Sequence, residues 1–209
     1  MKKVVVLDYG SGNLRSAQRA VERVGASVEV TADAAAARSA DGLIVPGVGA
    51  YAACMAGIDA VGAREIIADF LASGRPLLGI CVGMQVLFDS GDEHGVHTEG
   101  LGVLTGSVST LTAPILPHMG WNTVSAPRTS HLFAGLDPQT RFYFVHSYAA
   151  RPDTLGDTAG VVTLAEHGEP FVAAIEDGGP HGTVSATQFH PEKSGDAGAV
   201  LLRNWLDQL

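Results

Sequence analysis

Residues 75–85 read RPLLGICVGMQ, an apolar run that ends at a cysteine with a glycine two positions away on each side. The run has the length and apolar character of a strand buried in a parallel sheet, and VGMQVLF after it predicts a helix. Cys81 therefore lies at a strand-to-helix turn, in the pattern Gly79-x-Cys81-x-Gly83. This spacing is typical of a nucleophile elbow that carries sulfur in place of a hydroxyl.

The elbow interpretation gives each part of this turn a chemical role. Glycines on both sides of Cys81 let the backbone bend sharply and leave room for a substrate beside the sulfur. The start of a helix favours a thiolate, and the amide of Val82 is directed to the place where an oxyanion would form. The alternative is a buried thiol without chemistry, which is our expectation for Cys54 among its small apolar neighbours.

The rest of the sequence predicts an α/β fold. Strands and helices alternate in the first half, whereas the second half consists of strands separated by Gly, Pro and Asp turns. We therefore expect one domain over residues 1–209, built on an open, mixed and largely parallel sheet flanked by helices, with added antiparallel strands in the second half. The predicted strands are 2–10, 26–30, 41–47, 75–81, 100–111, 141–150, 160–168, 170–178 and 182–190, and the predicted helices are 13–24, 50–73 and 195–209.

Composition excludes several classes of function. The chain has 209 residues, is 46% hydrophobic and carries a formal net charge of −9, so it can bury a sizeable core and would repel a phosphate backbone. It has no apolar run long enough to span a bilayer, and the apolar stretch before Asp8 is too short for a signal peptide. We expect a cytoplasmic protein with free thiols and with neither a nucleic acid nor a membrane as partner.

Two further motifs resemble known binding sites but lack a required part. GSGNLR at 10–15 begins like a dinucleotide-binding fingerprint, yet Arg15 stands where the third glycine is needed, so we expect an ordinary tight turn. His94 and His97 have a spacing that could place both on one helix face, but Gly95 between them argues against a helix. We therefore predict that His94 and His97 are solvated loop histidines and not metal ligands.

A base for the cysteine is available in SATQFHPEKS at 185–194. His190 and Glu192 are two residues apart at the end of a predicted strand, which places them on the same side of it. Glu192 could then hold the imidazole of His190 in the tautomer that accepts the cysteine proton. A surface His-Pro-Glu turn without function is the alternative.

The segment VPGVGAY at 45–51 follows the third predicted strand. The carboxyl end of that strand should lie near the elbow, where ligands bind in doubly wound sheets. Free amides in a loop that contains Gly47 and Gly49 suit a developing oxyanion, although an ordinary turn would look the same.

GICVGMQ, VPGVGAY and QFHPEKS, in a chain of this length, resemble the motifs of the class I glutamine amidotransferases over nearly the whole sequence. The resemblance implies that Cys81 attacks the side-chain amide of glutamine, with His190 as general base and acid and Glu192 as its orienter. It implies neither a metal nor a cofactor. It also implies an oxyanion site at Val48, Gly49 and Val82, completed after the loop reorganises, and a glutamine site at Gly47, Gln85, Glu93, His146, Ser147 and Tyr148.

Within the family, DYGSGNLRS at 8–16, HMGWN at 118–122 and FVHSY at 144–148 resemble the branch that serves histidine biosynthesis. In that branch the glutaminase forms a heterodimer with a (β/α)₈-barrel cyclase, which uses the released ammonia. The resemblance places Trp121, Asn122 and Lys193 at the partner interface. An exposed apolar patch at the mouth of the site and low activity without the partner are expected.

Other functions stay open from the residues alone. A glutaminase of another synthase, in the vitamin B6 or guanylate pathway, would share the triad and differ in the branch motifs. A free-standing cysteine hydrolase would share the elbow without needing Gln85, and a scaffold protein would need no triad.

Overall fold

The computed structural model describes residues 1–157 and 160–209. The strands in chain order are β1 (Lys3–Leu7), β2 (Ser27–Thr31), β3 (Gly42–Gly47), β4 (Leu77–Cys81), β5 (Phe88–Glu93), β6 (Val96–Glu99), β7 (Leu104–Thr110), β8 (His118–Thr123), β9 (Arg141–His146), β10 (Tyr148–Ala150), β11 (Val161–His167), β12 (Glu169–Gly178) and β13 (Val184–Thr187). The α-helices are α1 (Leu14–Arg23), α2 (Ala34–Ser39), α3 (Tyr51–Ala60), α4 (Ala63–Ala72), α5 (Val82–Gln85) and α6 (Gly195–Leu206), and Pro152–Thr154 and Pro191–Lys193 are short 3₁₀ helices.

A seven-stranded sheet forms the centre of the fold, in the order β11-β12-β13-β4-β3-β1-β2. The five strands from β13 to β2 are parallel, and β12 and β11 extend one edge in antiparallel pairing. Every residue of β3 and β4 is buried, as expected for central strands covered on both faces. The predicted open, mixed and largely parallel sheet flanked by helices is confirmed.

Strands from β5 to β10 build two smaller sheets within the described residues. One has the order β10-β7-β5-β6, and the other pairs β8 with β9. The stretch 141–150, predicted as one strand, divides at Ser147 into β9 and β10, which belong to different sheets. The division depends on distant pairing partners, and alternation of residue types along the stretch does not reveal it.

Two predicted helices differ in detail from the observed ones, and one short observed helix was not predicted. In the helical stretch predicted at 50–73, Gly57 and Gly62 argue against one continuous helix. The stretch divides into α3 and α4 at Gly62, whose φ of 68° interrupts the helix, whereas Gly57 lies within α3. The helix predicted after Cys81 is a single turn, because the chain enters β5 at Phe88. The short helix α2 was not predicted; it begins after Asp33, whose side chain accepts a hydrogen bond from the Ala36 amide at 2.7 Å.

The apolar faces of the flanking helices are buried as the sequence predicts. Leu201, Leu202 and Trp205 of α6 have almost no exposed surface, and Cys54 of α3 is fully buried. None of the helices in 1–157 and 160–209 is both long enough and apolar enough to cross a bilayer. The one-domain organisation and the cytoplasmic location stay predictions.

Candidate active site

Cys81 is the last residue of β4 and directly precedes α5, so strand and helix meet without a loop. Its backbone has φ 57° and ψ −116°, a positive φ that non-glycine residues rarely adopt. Such strain persists only where the surroundings impose it, and it is often found at active sites. The strained residue of the elbow is thus the cysteine itself.

The glycines of the elbow serve close packing. A Cβ atom on Gly83 would lie 1.9 Å from the carbonyl oxygen of Val45, and one on Gly79 would lie 2.9 Å from the Gly83 oxygen. Neither glycine has a positive φ. The glycines permit the bend by letting α5 lie directly on β3 and β4, and the room for a substrate beside the sulfur stays a prediction.

The structure brings His190 and Glu192 into direct contact. The Nδ1 atom of His190 lies 2.7 Å from Oε1 of Glu192, and both side chains are almost completely buried. The contact does not arise from strand geometry as predicted, because β13 ends at Thr187 and residues Pro191–Lys193 form a 3₁₀ turn. The amide of His190 donates to the Tyr143 carbonyl at 2.9 Å, which fixes the start of that turn.

The surroundings of His190 favour its protonated form. Burial lowers the pKa of His190, but the hydrogen bonds and charges of Cys81 and Glu192 outweigh burial and raise it from 6.5 to about 9. The Glu192 carboxylate contacts Nδ1 of the imidazole, and Cys81 is close enough to stabilise the positive charge of the ring. This arrangement can accept a proton from a thiol and return it to a leaving group.

A cavity of about 540 Å³ opens beside Cys81 and His190. Most residues predicted to form the oxyanion and glutamine sites line it, together with one residue of the predicted partner interface. Gly47 is an exception: it pairs with Cys81 in the sheet, and its Cα faces α5, where a Cβ would lie 2.3 Å from the Gly83 nitrogen. The predicted residues that line the cavity are Val48, Gly49, Val82, Gln85, Glu93, His146, Ser147, Tyr148 and Lys193.

The loop after β3 directs its first amide away from the sulfur. The Val48 N–H donates to the Ser11 hydroxyl at 3.1 Å. The Val48 carbonyl accepts from the same hydroxyl at 2.9 Å and from the Cys54 thiol at 3.3 Å. Val82 is the first residue of α5, so its N–H has no partner in the helix ladder. Of the predicted oxyanion donors, the Val48 amide is engaged elsewhere in this state.

Gln85 and Glu93, two of the predicted glutamine-binding residues, have contacts within the protein. The Gln85 amide nitrogen donates to the Tyr148 carbonyl and to Oε1 of Gln188, each at 2.9 Å. Oε2 of Glu93 accepts from the Tyr51 amide at 2.6 Å, at the start of α3.

His146 uses both ring nitrogens, since Nδ1 lies 3.0 Å from the Tyr148 carbonyl and Nε2 lies 3.0 Å from Nδ1 of His118. In Gln85 and Glu93, by contrast, one side-chain oxygen takes no part in these contacts. That oxygen, Oε1 in each residue, is the atom left for a ligand.

Sequence reasoning missed several residues that contact the site: Asn13 lines the cavity, and Ser11 and Gln188 contact its loop and its nucleophile. Gln188 is fully buried, and its amide nitrogen lies 3.8 Å from the Cys81 sulfur. A polar residue in a predicted buried strand was the available signal for Gln188. Ser11 lies in the turn dismissed as an incomplete dinucleotide motif, where a Cβ on Gly12 would lie 2.8 Å from Pro46. That turn packs against the loop after β3.

Of the predicted partner residues, Trp121 and Asn122 lie on opposite faces of β8, and Lys193 lies in the 3₁₀ turn after His190. Trp121 is 55% exposed and contacts the ring of Tyr143, over which the Lys193 ammonium also lies. The exposed side chain of Met119 lies on the same face of β8. Asn122 points the opposite way: its amide donates to Nε2 of His118 at 3.2 Å and to the Glu166 carbonyl at 3.0 Å. The side chain of Asn122 is thus half-buried and paired within the protein, and its place at the partner interface stays a prediction.

The remaining histidine candidates lie on a hairpin. His94 follows β5 and His97 lies in β6, so the loop predicted there is a β-hairpin with a turn at His94 and Gly95. Both histidines are exposed, and Nδ1 of His97 lies 2.9 Å from Asp92. No group of three metal-ligating side chains occurs in the part of the chain that the structure describes.

Comparison with known proteins gives one consistent family. Residues 5–209 match the family described as glutamine amidotransferase class-I. The chain is 63% identical over 208 residues to "Imidazole glycerol phosphate synthase subunit HisH" of Mycolicibacterium paratuberculosis, covering 100% of this chain and 98% of the relative. It is 63% identical over 212 residues to the protein of the same name from Nocardia farcinica, covering 100% and 99%.

Solved structures at lower identity share the fold. A putative GMP synthase component from Thermoplasma acidophilum superimposes with a TM-score of 0.73 at 21% identity, covering 99% of this chain and 93% of that one. A structure described as glutamine amidotransferase has a TM-score of 0.74 at 20% identity, with 98% and 97% coverage.

We expect Cys81→Ala to lower the pKa of His190 from about 9, because it removes the sulfur contact and leaves the burial that opposes protonation. Glu192→Gln should act in the same direction. NMR titration of the His190 ring checks both, with the exposed His131 as internal reference. An unchanged His190 titration in Cys81→Ala would contradict the coupling.

The raised pKa of His190 also makes the stability of the folded protein depend on pH. Because the folded protein keeps this proton above pH 6.5 and the unfolded chain does not, the contribution of His190 to stability is complete below pH 6.5 and is lost as the pH rises to about 9. Urea unfolding at several pH values should show a shallower loss over this range in Cys81→Ala.

Proposed function

Because the chain belongs to the class-I glutamine amidotransferases and, among them, to the HisH subunits of imidazole glycerol phosphate synthase, we propose that it hydrolyses glutamine and passes the ammonia to a cyclase partner. The cyclase then forms imidazole glycerol phosphate and the aminoimidazole carboxamide ribotide of histidine biosynthesis. The observation that carries the proposal is the buried contact between His190 and Glu192 beside the strained Cys81.

In the proposed first half-reaction, the Cys81 thiolate attacks the side-chain carbonyl carbon of glutamine. The new carbon–sulfur bond gives a tetrahedral intermediate, and the carbon–nitrogen bond breaks as the His190 imidazolium gives its proton to the leaving nitrogen. Ammonia leaves, and a γ-glutamyl thioester remains on Cys81. A histidine pKa of about 9 keeps this proton available at neutral pH.

In the second half-reaction, neutral His190 removes a proton from water as the water oxygen attacks the thioester. The carbon–sulfur bond breaks, glutamate leaves and the thiolate is restored beside a protonated His190. Glu192 accepts the hydrogen bond from Nδ1, which directs Nε2 towards the reacting atoms in both halves. No metal or cofactor takes part in these steps.

The oxyanion of each tetrahedral intermediate needs N–H donors. We assign the first to Val82, at the start of α5. The second comes from Val48 or Gly49 once the loop turns an amide towards the sulfur. Since the Val48 N–H donates to Ser11 in the present state, the chain without its partner should hydrolyse glutamine slowly.

The cavity beside Cys81 is the proposed glutamine site. Gln85 and the stretch of His146, Ser147 and Tyr148 form its walls, and Glu93 lies at the edge where the substrate's ammonium group would find a carboxylate. The volume of about 540 Å³ is ample for one amino acid.

Relatives of this chain are named as subunits of a synthase, and this chain is likewise one component of a synthase. We propose that its partner is a (β/α)₈-barrel cyclase in a one-to-one heterodimer. Exposed Trp121 and Met119, with Lys193 at the mouth of the cavity, form an amphipathic face suited to that contact. Ammonia released into water would be protonated and lose its nucleophilicity, so the site must be covered when ammonia leaves it.

Reconstitution with such a cyclase tests the function. Supplied with glutamine and the phosphorylated ribulosyl intermediate, the complex should turn over. Cys81→Ala should lose at least about a thousandfold of the glutamine-dependent rate and keep the ammonia-dependent rate, because only the first needs the nucleophile. Cys54→Ala is the matched control: it should keep the ammonia-dependent rate, and the loss of its contact with the Val48 carbonyl should change the glutamine-dependent rate by no more than about tenfold. Stimulation only by the synthase of another pathway would contradict the proposed partner.

The Ser11 contact gives a second prediction. Ser11→Ala removes the hydroxyl that engages the Val48 amide, so this amide reorients at lower cost. We expect the partner-free glutaminase rate to rise about three- to tenfold, from the loss of one ordinary hydrogen bond. Ser16→Ala, on the neighbouring helix, is the control. A lower partner-free rate in Ser11→Ala would show that the contact supports the active state instead.

A further inference from the structure

We infer that Gln188 is a positioning residue for the nucleophile: its side-chain amide donates an N–H to the Cys81 sulfur, and Gln85 fixes the orientation of that amide. The nitrogen of Gln188 lies 3.8 Å from the sulfur, and its oxygen lies 2.9 Å from the Gln85 nitrogen. The inference rests on the proposed function only in taking Cys81 as the nucleophile.

A backbone carbonyl determines which end of each amide faces which neighbour. The Tyr148 oxygen can only accept, so the Gln85 group at 2.9 Å from it must be the NH₂ end. The second N–H of the Gln85 amide donates to Gln188, so the atom of Gln188 that faces Gln85 must be its side-chain oxygen. The Gln188 nitrogen is then left facing Cys81. Turning the Gln188 amide over would set two NH₂ groups against each other.

A second set of hydrogen bonds ends at the same carbonyl. His146 must donate to it through Nδ1–H, so its Nε2 is an acceptor and takes a hydrogen bond from Nδ1 of His118. Nε2 of His118 accepts in turn from Asn122. Burial, followed by repulsion from neighbouring histidines, lowers the pKa of His146 to about 3 and that of His118 to about 4, so both rings are neutral.

These contacts form one hydrogen-bond network in which the donor and the acceptor of every bond are determined. It runs from Asn122 through His118 and His146 to the Tyr148 carbonyl, and from there through Gln85 to Gln188 and the sulfur. Asn122 lies beside the exposed Trp121 on β8, so the network joins the face proposed for the partner to the nucleophile.

Burial makes the last contact of this network chemically significant. Gln188 is fully buried and Cys81 is 3% exposed, so water competes little for the N–H. Hydrogen bonds to an ionised acceptor are stronger than those to a neutral one, so the donor favours the thiolate over the thiol and over the thioester. Gln188 does not line the cavity, and its effect should therefore appear in the reactivity of the sulfur and not in substrate affinity.

The test is the pH dependence of alkylation of Cys81 by iodoacetamide, measured by peptide mass spectrometry on the full chain, with Cys54 quantified in the same sample. In Gln188→Leu we expect the rate profile to move to higher pH and the rate at pH 7 to fall about tenfold. Thr187→Val is the matched control: this neighbouring buried side chain donates to the Phe189 carbonyl at 3.0 Å and does not reach the network. Its profile should not move.

A second variant tests the inference even when Gln188→Leu does not fold. Gln188→Met keeps the length of the side chain and removes the N–H donor, so its profile should move in the same direction. Glutamine turnover with the cyclase should then show a lower kcat with a nearly unchanged KM. An unmoved alkylation profile in either folded variant overturns the inference. Alkylation involves no glutamine, so absence of glutamine turnover in the native protein would count against the proposed function alone.

Discussion

The close approach of α5 to strands β3 and β4 is the constraint on which the site depends. Gly83 has no room for a Cβ, because the Val45 carbonyl lies where that atom would be placed. With the helix pressed onto the sheet, the residue between strand and helix must turn within one position, and Cys81 takes the strained φ of 57°. The turn brings the sulfur to the carboxyl edge of the sheet, beside the loop after β3 and the turn that contains His190.

The parts of the site that could be predicted from sequence are those set by local chain geometry. The pattern around Cys81 predicts an elbow because few sequences allow a helix to start at the last residue of a strand. The spacing of His190 and Glu192 predicts their contact, although a 3₁₀ turn and not strand alternation produces it. The parallel strands were predictable because near-continuous apolar runs fit burial on both faces.

The parts that could not be predicted depend on contacts between residues far apart in the chain. The Val48 amide turns to Ser11, 37 residues away in sequence, and Gln188 meets Gln85 across 103 residues. Asn122 follows an exposed tryptophan, so only strand geometry shows that its side chain turns to His118 on the opposite face of β8. Such contacts decide which polar groups remain for a substrate, and the residue types alone cannot settle that.

The central claim is that Cys81 carries the acyl group of glutamine. Acid quenching of the complex with its cyclase during turnover, followed by peptide mass spectrometry, measures this directly. We predict a glutamyl adduct on Cys81 in the native chain and none in His190→Asn, because without the imidazolium the leaving nitrogen receives no proton and the thioester does not form. Steady turnover with no adduct on Cys81, or with an adduct on Cys54 instead, would contradict the account.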